Sequence, residues 1–124
     1  MEEDDPDHAL VEAVRRVLIH VAAAGRTVAY RDLAAAAGVP GPHAIHKTTR
    51  ALEMLAARDA AAGRALLSAV AVGKHGRPRP GFFQCVRDLG RYDGPDEGPE
   101  ADGFHDTELA AVHAAWRLAN GQRP

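Results

Sequence analysis

The chain has 124 residues, of which 46% are apolar and only six are aromatic, a length that fits one domain. Its acidic N-terminus lacks the basic start of a secretory signal, and no run approaches the roughly 20 apolar residues of a membrane span. A single cysteine cannot form an internal disulfide. These features disfavour a secreted disulfide scaffold and a membrane protein, so we expect a cytoplasmic protein.

The net charge of −2 conceals a strong partition of charge along the chain. Residues 1–7 carry five acids and no Lys or Arg, whereas residues 8–91 carry thirteen Lys or Arg against five acids. Residues 92–124 carry seven acids against two Arg. The positive middle segment favours an anionic partner, because a local field acts over about 10 Å at ~0.1 M salt. The alternative is that these cations only keep the helices soluble.

Apolar spacing and helix-terminal residues predict three helices in the first half of the chain. An Asp-Pro pair at residues 5–6 begins the first helix, which Gly25 ends. Residues 26–29 are predicted to be extended. A short second helix over residues 30–37 and a third helix over residues 43–58 follow, joined by a tight turn that contains Gly and Pro.

The second half of the chain is predicted to contain less regular structure. Residues 66–72 favour a strand, and residues 73–81 form a basic loop because two prolines prevent regular strand pairing. A short helix over residues 82–89 precedes an acidic linker at residues 92–103, which is rich in Gly and Pro. A last helix is predicted to begin at Asp106, which would be its N-cap.

This order of elements predicts an α+β, mainly helical fold, namely a winged helix-turn-helix with an additional C-terminal helical segment. The predicted organisation is an acidic tail (residues 1–7), a winged helix-turn-helix (residues 8–81) and C-terminal helices (residues 82–124) that include the acidic linker at 92–103. The basic loop would be the wing.

Basic side chains concentrate where a winged helix-turn-helix contacts DNA. At 100° per residue, His43, Lys47 and Arg50 share the side of the third helix opposite its apolar stripe, and His46 lies beside them. Such a surface is typical of a helix that docks against phosphates and base edges of double-stranded DNA. The predicted DNA-binding cations and imidazoles are Arg31, His43, His46, Lys47, Arg50, Lys74, Arg77 and Arg79.

Two stretches, GRTVAYRDLA at residues 25–34 and AGVPGP at residues 37–42, resemble the DNA-binding domain of alkylguanine-DNA alkyltransferases and alkyltransferase-like proteins. The likeness covers about residues 14–76. It implies minor-groove binding with one base rotated out of the stack, Tyr30 against the neighbouring phosphate, and His46 in place of an intercalating arginine. The helix face by itself favours the major groove, so the groove stays open.

The same resemblance argues against alkyl transfer. The reactive Pro-Cys-His-Arg of that family corresponds here to residues 67–70, Leu-Ser-Ala-Val. A serine hydroxyl with no adjacent base is a poor nucleophile, and Cys85 is predicted to be a buried small hydrophobic residue. The seven histidines show no zinc-site spacing, and no phosphate-binding loop occurs. We predict no catalytic residue, no metal and no cofactor.

The sequence therefore predicts a non-catalytic DNA-binding protein, either a small regulator or a DNA sensor resembling the alkyltransferase-like proteins. The alternative is a protein-interaction module on the same scaffold, and a homodimer through the C-terminal helix is compatible with both. A third hypothesis is an enzyme that uses Ser68 or Cys85. A further hypothesis is that the acidic residues 93–102 fold over the basic surface and compete with phosphate.

Overall fold

The computed structural model describes residues 6–119. These residues form five α-helices, one 3₁₀ helix and two short strands. In chain order they are α1 (Pro6–Ala23), β1 (Val28–Ala29), α2 (Tyr30–Ala36), α3 (Ala44–Ala61), the 3₁₀ helix (Leu67–Val70), β2 (Ala71–Val72), α4 (Pro80–Asp88) and α5 (Pro99–Ala119). The fold is thus α+β and mainly helical, as predicted. Of the predicted acidic tail, residues 1–5 lie outside the described residues.

The helix α1 occupies the centre of the fold, packed between α3, α5 and the 3₁₀ helix. The side chains of α1 that are buried in the core are Val11, Val14, Leu18 and Ala22. Apolar spacing at steps of four, three and four predicts one helix face from Leu10, Val14, Val17 and Val21. Of these, Val14 is buried and the other three are half-buried. Because α1 is packed on more than one side, both sets of residues contribute to the core and the buried one is set by the tertiary contacts.

The helices α2 and α3 pack against each other and are joined by a short turn, and both lie close to their predicted bounds. Gly38, with φ of 70°, closes α2 in the left-handed conformation that glycine tolerates best. The helix α3 buries Thr48, Leu52 and Leu55 and extends to Ala61, three residues beyond its predicted end. His43, predicted to open this helix, is instead its N-cap residue, with φ of 65°.

The two strands pair in parallel, with Val28 opposite Ala71 and Ala29 opposite Val72. The predicted strand at residues 66–72 is therefore wrong except for its last two residues. Two carboxylates explain the difference, because the Leu66 N–H donates to Glu108 at 2.8 Å and the Leu67 N–H donates to a second side chain, Asp59, at 3.0 Å. Backbone groups that are satisfied by side chains need no neighbouring strand.

The helix α5 begins at Pro99, seven residues before the predicted cap at Asp106. Proline suits the first turn of a helix, and Glu100 and Asp102 complement the helix dipole there. The predicted linker at residues 92–103 is therefore wrong for residues 99–103, which belong to α5. Gly103, a poor helix former, lies inside this helix, and its presence in the sequence favoured a loop. The helix packs mainly on α1 and the 3₁₀ helix.

The basic loop at residues 73–79 leads from β2 directly into α4, and no strand follows it before α4. A hydrogen bond of 2.8 Å from the Gly73 N–H to the Arg77 carbonyl closes the loop. The loop that the sequence predicts as the wing is therefore a compact turn. Within residues 6–119, none of the helices combines the length and the apolar character that a membrane crossing requires.

Candidate functional site

The exposed side of α3 carries the predicted basic residues. His46 and Arg50 are exposed, and Lys47 is half-buried. The Lys47 ammonium donates to the Pro40 carbonyl at 3.1 Å. The side chains of His46, Lys47 and Arg50 border a shallow groove of about 50 Å³ between α3 and the start of α1. The rest of its wall is apolar and consists of Leu10, Val11, Ala51 and Met54. The structure therefore brings Lys47 and Arg50, which helix geometry placed on one face, together with His46, which it placed beside that face.

Tyr30 connects α2 to the basic loop. Its ring is only 6% exposed and lies under the Arg79 guanidinium, 4.6 Å from the ring centroid. Its hydroxyl accepts the Arg79 N–H at 2.9 Å, and burial raises the pKa of this hydroxyl. A cation over an aromatic face is held by the ring quadrupole. Tyr30 therefore fixes the position of Arg79.

Arg77, predicted to contact DNA beside Arg79, points elsewhere. Its guanidinium binds the carboxylates of Asp106 at 2.7 Å and Asp102 at 3.3 Å, and it donates to His105 Nδ1 at 2.9 Å. All three partners lie on α5, which sequence reasoning had not expected to reach this loop. Acids spaced i, i+4 on one helix offer a fork of acceptors to an arginine, and this spacing was the available signal.

The cations of the described chain fall into two groups. Ion pairs within residues 6–119 engage Arg58, Arg64, Arg77, Arg87 and Arg91. The second group forms no ion pair with a described residue and is mostly exposed. Five of its members lie on α2, α3 and the loop at residues 73–79, and we call them the basic face: Arg31, Lys47, Arg50, Lys74 and Arg79. Arg16, Arg26 and Arg117, on α1, its following turn and α5, are exposed and equally unpaired among described residues.

His105 is fully buried between the basic loop and the 3₁₀ helix. Its Nε2–H donates to the Ala69 carbonyl at 2.9 Å, which leaves Nδ1 to accept the hydrogen bond from Arg77. Burial lowers the pKa of this histidine, the hydrogen bond to Ala69 opposes that shift, and the Arg77 charge reinforces it. The nearby carboxylates of Asp102 and Asp106 act in the opposite direction to Arg77.

Acidification from pH 8 to pH 5 is expected to reduce stability through His105. The unfolded chain takes up this proton near pH 6.5, whereas the folded chain does so only at a lower pH because the pKa is lowered. Stability is therefore complete above pH ~6.5 and falls as the pH drops towards the folded pKa. Urea unfolding at several pH values measures the decrease. A His105→Gln variant, which keeps a donor for Ala69, should show a weaker dependence, and an unchanged dependence would contradict this assignment.

A second feature, which the sequence did not predict, is a pocket of about 130 Å³ between α3, α4 and Tyr30. We call it the Ser68 pocket, and its lining consists of Tyr30, Thr49, Leu52, Glu53, Ala56, Ser68, Arg79, Gly81, Phe82 and Cys85. It escaped prediction because its wall is drawn from four separate segments of the chain.

The Ser68 hydroxyl is buried without any hydrogen-bond partner, so no base activates it. Cys85, predicted to be buried, is only half-buried in the pocket wall. Burial raises the pKa of its thiol, and the charges of Glu53 and Asp88 raise it further; a thiolate is therefore disfavoured. Among the residues that the structure describes, no three His, Cys, Asp or Glu side chains converge on a possible metal position.

Comparison of the chain with protein-family models, curated proteins and solved structures finds no match.

Proposed function

We propose that this chain binds double-stranded DNA without catalysis, through the basic face and on a winged helix-turn-helix scaffold whose wing is the loop at residues 73–79. The observation that carries the proposal is that five cations of α2, α3 and this loop have no ion pair within the described chain, whereas Arg58, Arg64, Arg87 and Arg91 have one. Unpaired cations on a helix and an adjacent loop are available to phosphates.

The packing of α5 supports this proposal. Its main contacts are with α1 and the 3₁₀ helix, so the exposed side of α3 is left open to a ligand. The acidic first turns of α5 engage Arg77 and do not pair with Lys47, Arg50 or Arg79. The proposed competition of the acidic segment with phosphate is thereby limited to one cation of the loop.

We further propose, from the resemblance to alkyltransferase-like proteins, a role as a DNA sensor or a small regulator. Burial of Tyr30 under Arg79 modifies the expected contact, because the arginine above the ring, rather than the ring itself, meets the solvent. Ser68 has no partner that would activate it, which supports a binding role over alkyl transfer.

A protein-interaction role has weaker support. Met54, at 43%, is the large hydrophobic residue exposed within the described chain, and one such side chain does not form the contiguous apolar patch that marks a protein interface. No observation of the described residues therefore favours this alternative over DNA.

Titration of a labelled duplex at two salt concentrations tests the proposal. If about four cations of the basic face contact phosphates, the slope of log affinity against log salt is expected to be roughly −3.6, a loss of roughly 150-fold between about 50 and 200 mM salt. Absence of binding at about 50 mM salt, or binding with a slope near zero, would overturn the proposal.

A further inference from the structure

The shallow groove between α3 and the start of α1 combines apolar surface with basic groups. Met54, exposed at 43%, is the large hydrophobic residue that the described chain leaves in contact with solvent. It lines the groove together with Lys47 and Arg50. None of the described residues in the lining is an acid. By charge, the groove is therefore complementary to a short anionic segment.

The two cations of the groove have donors that residues 6–119 leave unused. The Lys47 ammonium has three N–H donors and gives one hydrogen bond, to the Pro40 carbonyl. Arg50 forms no ion pair with a described residue. Glu12, on the same part of α1 as the groove, is already paired with Arg58 at 2.8 Å. Both cations are therefore available to carboxylates from another segment.

The chain carries such a segment directly before α1. Residues 2–5 are Glu-Glu-Asp-Asp, and α1 begins at the next residue, Pro6. Leu10, in the groove wall, lies four residues into α1, about 6 Å along the helix axis. Four residues span up to about 13 Å when extended. The four carboxylates are therefore within reach of the groove.

The other acidic stretch of the chain, residues 92–103, has its own partners. Asp96 pairs with Arg87 at 2.6 Å, and Asp102 pairs with Arg77 at 3.3 Å. These contacts engage carboxylates of that stretch away from Lys47 and Arg50. Residues 2–5 are thus the acidic stretch that adjoins the groove in sequence and matches it in charge.

We infer that residues 2–5 occupy this groove in the chain without DNA, with carboxylates on Lys47 and Arg50, and that DNA phosphates must displace them. The occupation itself needs no DNA, whereas its regulatory consequence rests on the proposed function. A contact within one chain is favoured because a short tether gives an effective concentration in the millimolar range. An exposed ion pair shifts an equilibrium by roughly twofold, so a few such pairs should weaken DNA binding by about fivefold.

The first test compares amide NMR spectra of two isotope-labelled full-length chains without DNA. One is the parent, and the other combines Glu2→Gln, Glu3→Gln, Asp4→Asn and Asp5→Asn. Asn caps a helix as well as Asp does, so this neutral-segment variant should keep the start of α1. At about 50 mM salt the amides of residues 46–54 should differ between the two chains. At about 1 M salt, where the screening length is about 3 Å, the difference should disappear.

A matched control removes four negative charges elsewhere. Its substitutions are at exposed acids that form no ion pair within the described chain: Asp88→Asn, Asp93→Asn, Glu97→Gln and Glu100→Gln. This control changes the net charge equally and should leave the amides of residues 46–54 unchanged.

The second test is fluorescence anisotropy of a labelled duplex. At about 50 mM salt the neutral-segment variant should bind about fivefold more tightly than the parent, and the control less than about twofold more tightly. The gain of the neutral-segment variant should shrink as salt is raised, because salt also screens the contact of residues 2–5.

The inference is overturned if the amides of residues 46–54 are the same in the parent and the neutral-segment variant at low salt, or if that variant and the control gain equal affinity for the duplex. If no chain binds the duplex, the proposed function fails, and the amide comparison still decides whether residues 2–5 occupy the groove. If the parent and the neutral-segment variant bind the duplex equally well, this inference fails and the proposed function stands.

Discussion

Replacing Asp59 by alanine is expected to lower the free energy of unfolding by about 3 kcal/mol. Asp59 is 5% exposed, accepts the Leu67 N–H at 3.0 Å and pairs with Arg64 at 3.0 Å. The variant leaves a buried N–H without an acceptor and opens a small cavity at the end of α3. The loss is large because Leu67 itself is almost fully buried, so water cannot replace the carboxylate.

Urea unfolding followed by circular dichroism measures this loss. Asp88→Ala is a matched control, since it removes the same side chain from the exposed end of α4, where Asp88 accepts a hydrogen bond from Gln84. It should stay within about 0.5 kcal/mol of the parent. Asp59→Asn keeps one acceptor oxygen and is expected to lose less than Asp59→Ala. Equal effects of Asp59→Ala and Asp88→Ala would show that the carboxylate does not hold the 3₁₀ helix.

The helices of the first half were predictable because their signals are local. Apolar residues spaced by three and four, Gly25 and Gly38 as terminators, and Pro6 as an initiator all act within one or two turns of the chain. The 3₁₀ helix at residues 67–70 and the start of α5 at Pro99 were not predictable from local signals. The carboxylate of Glu108, which keeps Leu66 out of a sheet, is 42 residues away in the chain, and short apolar runs are ambiguous between strand and helix.

The candidate site divides in the same way. The common side of Lys47 and Arg50 follows from the helical period alone. The orientation of Arg77 does not, because its partners lie 25 to 29 residues further along the chain and neighbouring loop residues can point in opposite directions. A pocket assembled from α2, α3, the 3₁₀ helix and α4 carries no contiguous sequence signal either. Non-local contacts thus decide which of the predicted cations remain available to a ligand.

The difference between paired and unpaired cations leads to a second expected result, which concerns affinity for DNA. A triple variant with Lys47, Arg50 and Arg79 replaced by alanine should have a salt slope less steep by about 2.7, because each phosphate contact contributes roughly −0.9. On the same basis its affinity at about 0.1 M salt should fall by several hundredfold. Fluorescence anisotropy of a labelled duplex at four or more salt concentrations gives both quantities.

The matched control replaces Arg16, Arg26 and Arg117 by alanine, which changes the net charge equally but on α1, its following turn and α5. If the basic face is the DNA-binding site, this control should change the salt slope by less than about 0.9, the contribution of one phosphate contact. Arg77→Ala provides the sharper comparison, because Arg77 lies on the same loop as Arg79 yet is engaged by Asp102 and Asp106. Its slope should match that of the parent. A loss equal to that of the single Arg79→Ala variant would mean that DNA displaces the α5 carboxylates, and equal losses in both triple variants would reduce DNA binding to an effect of overall charge.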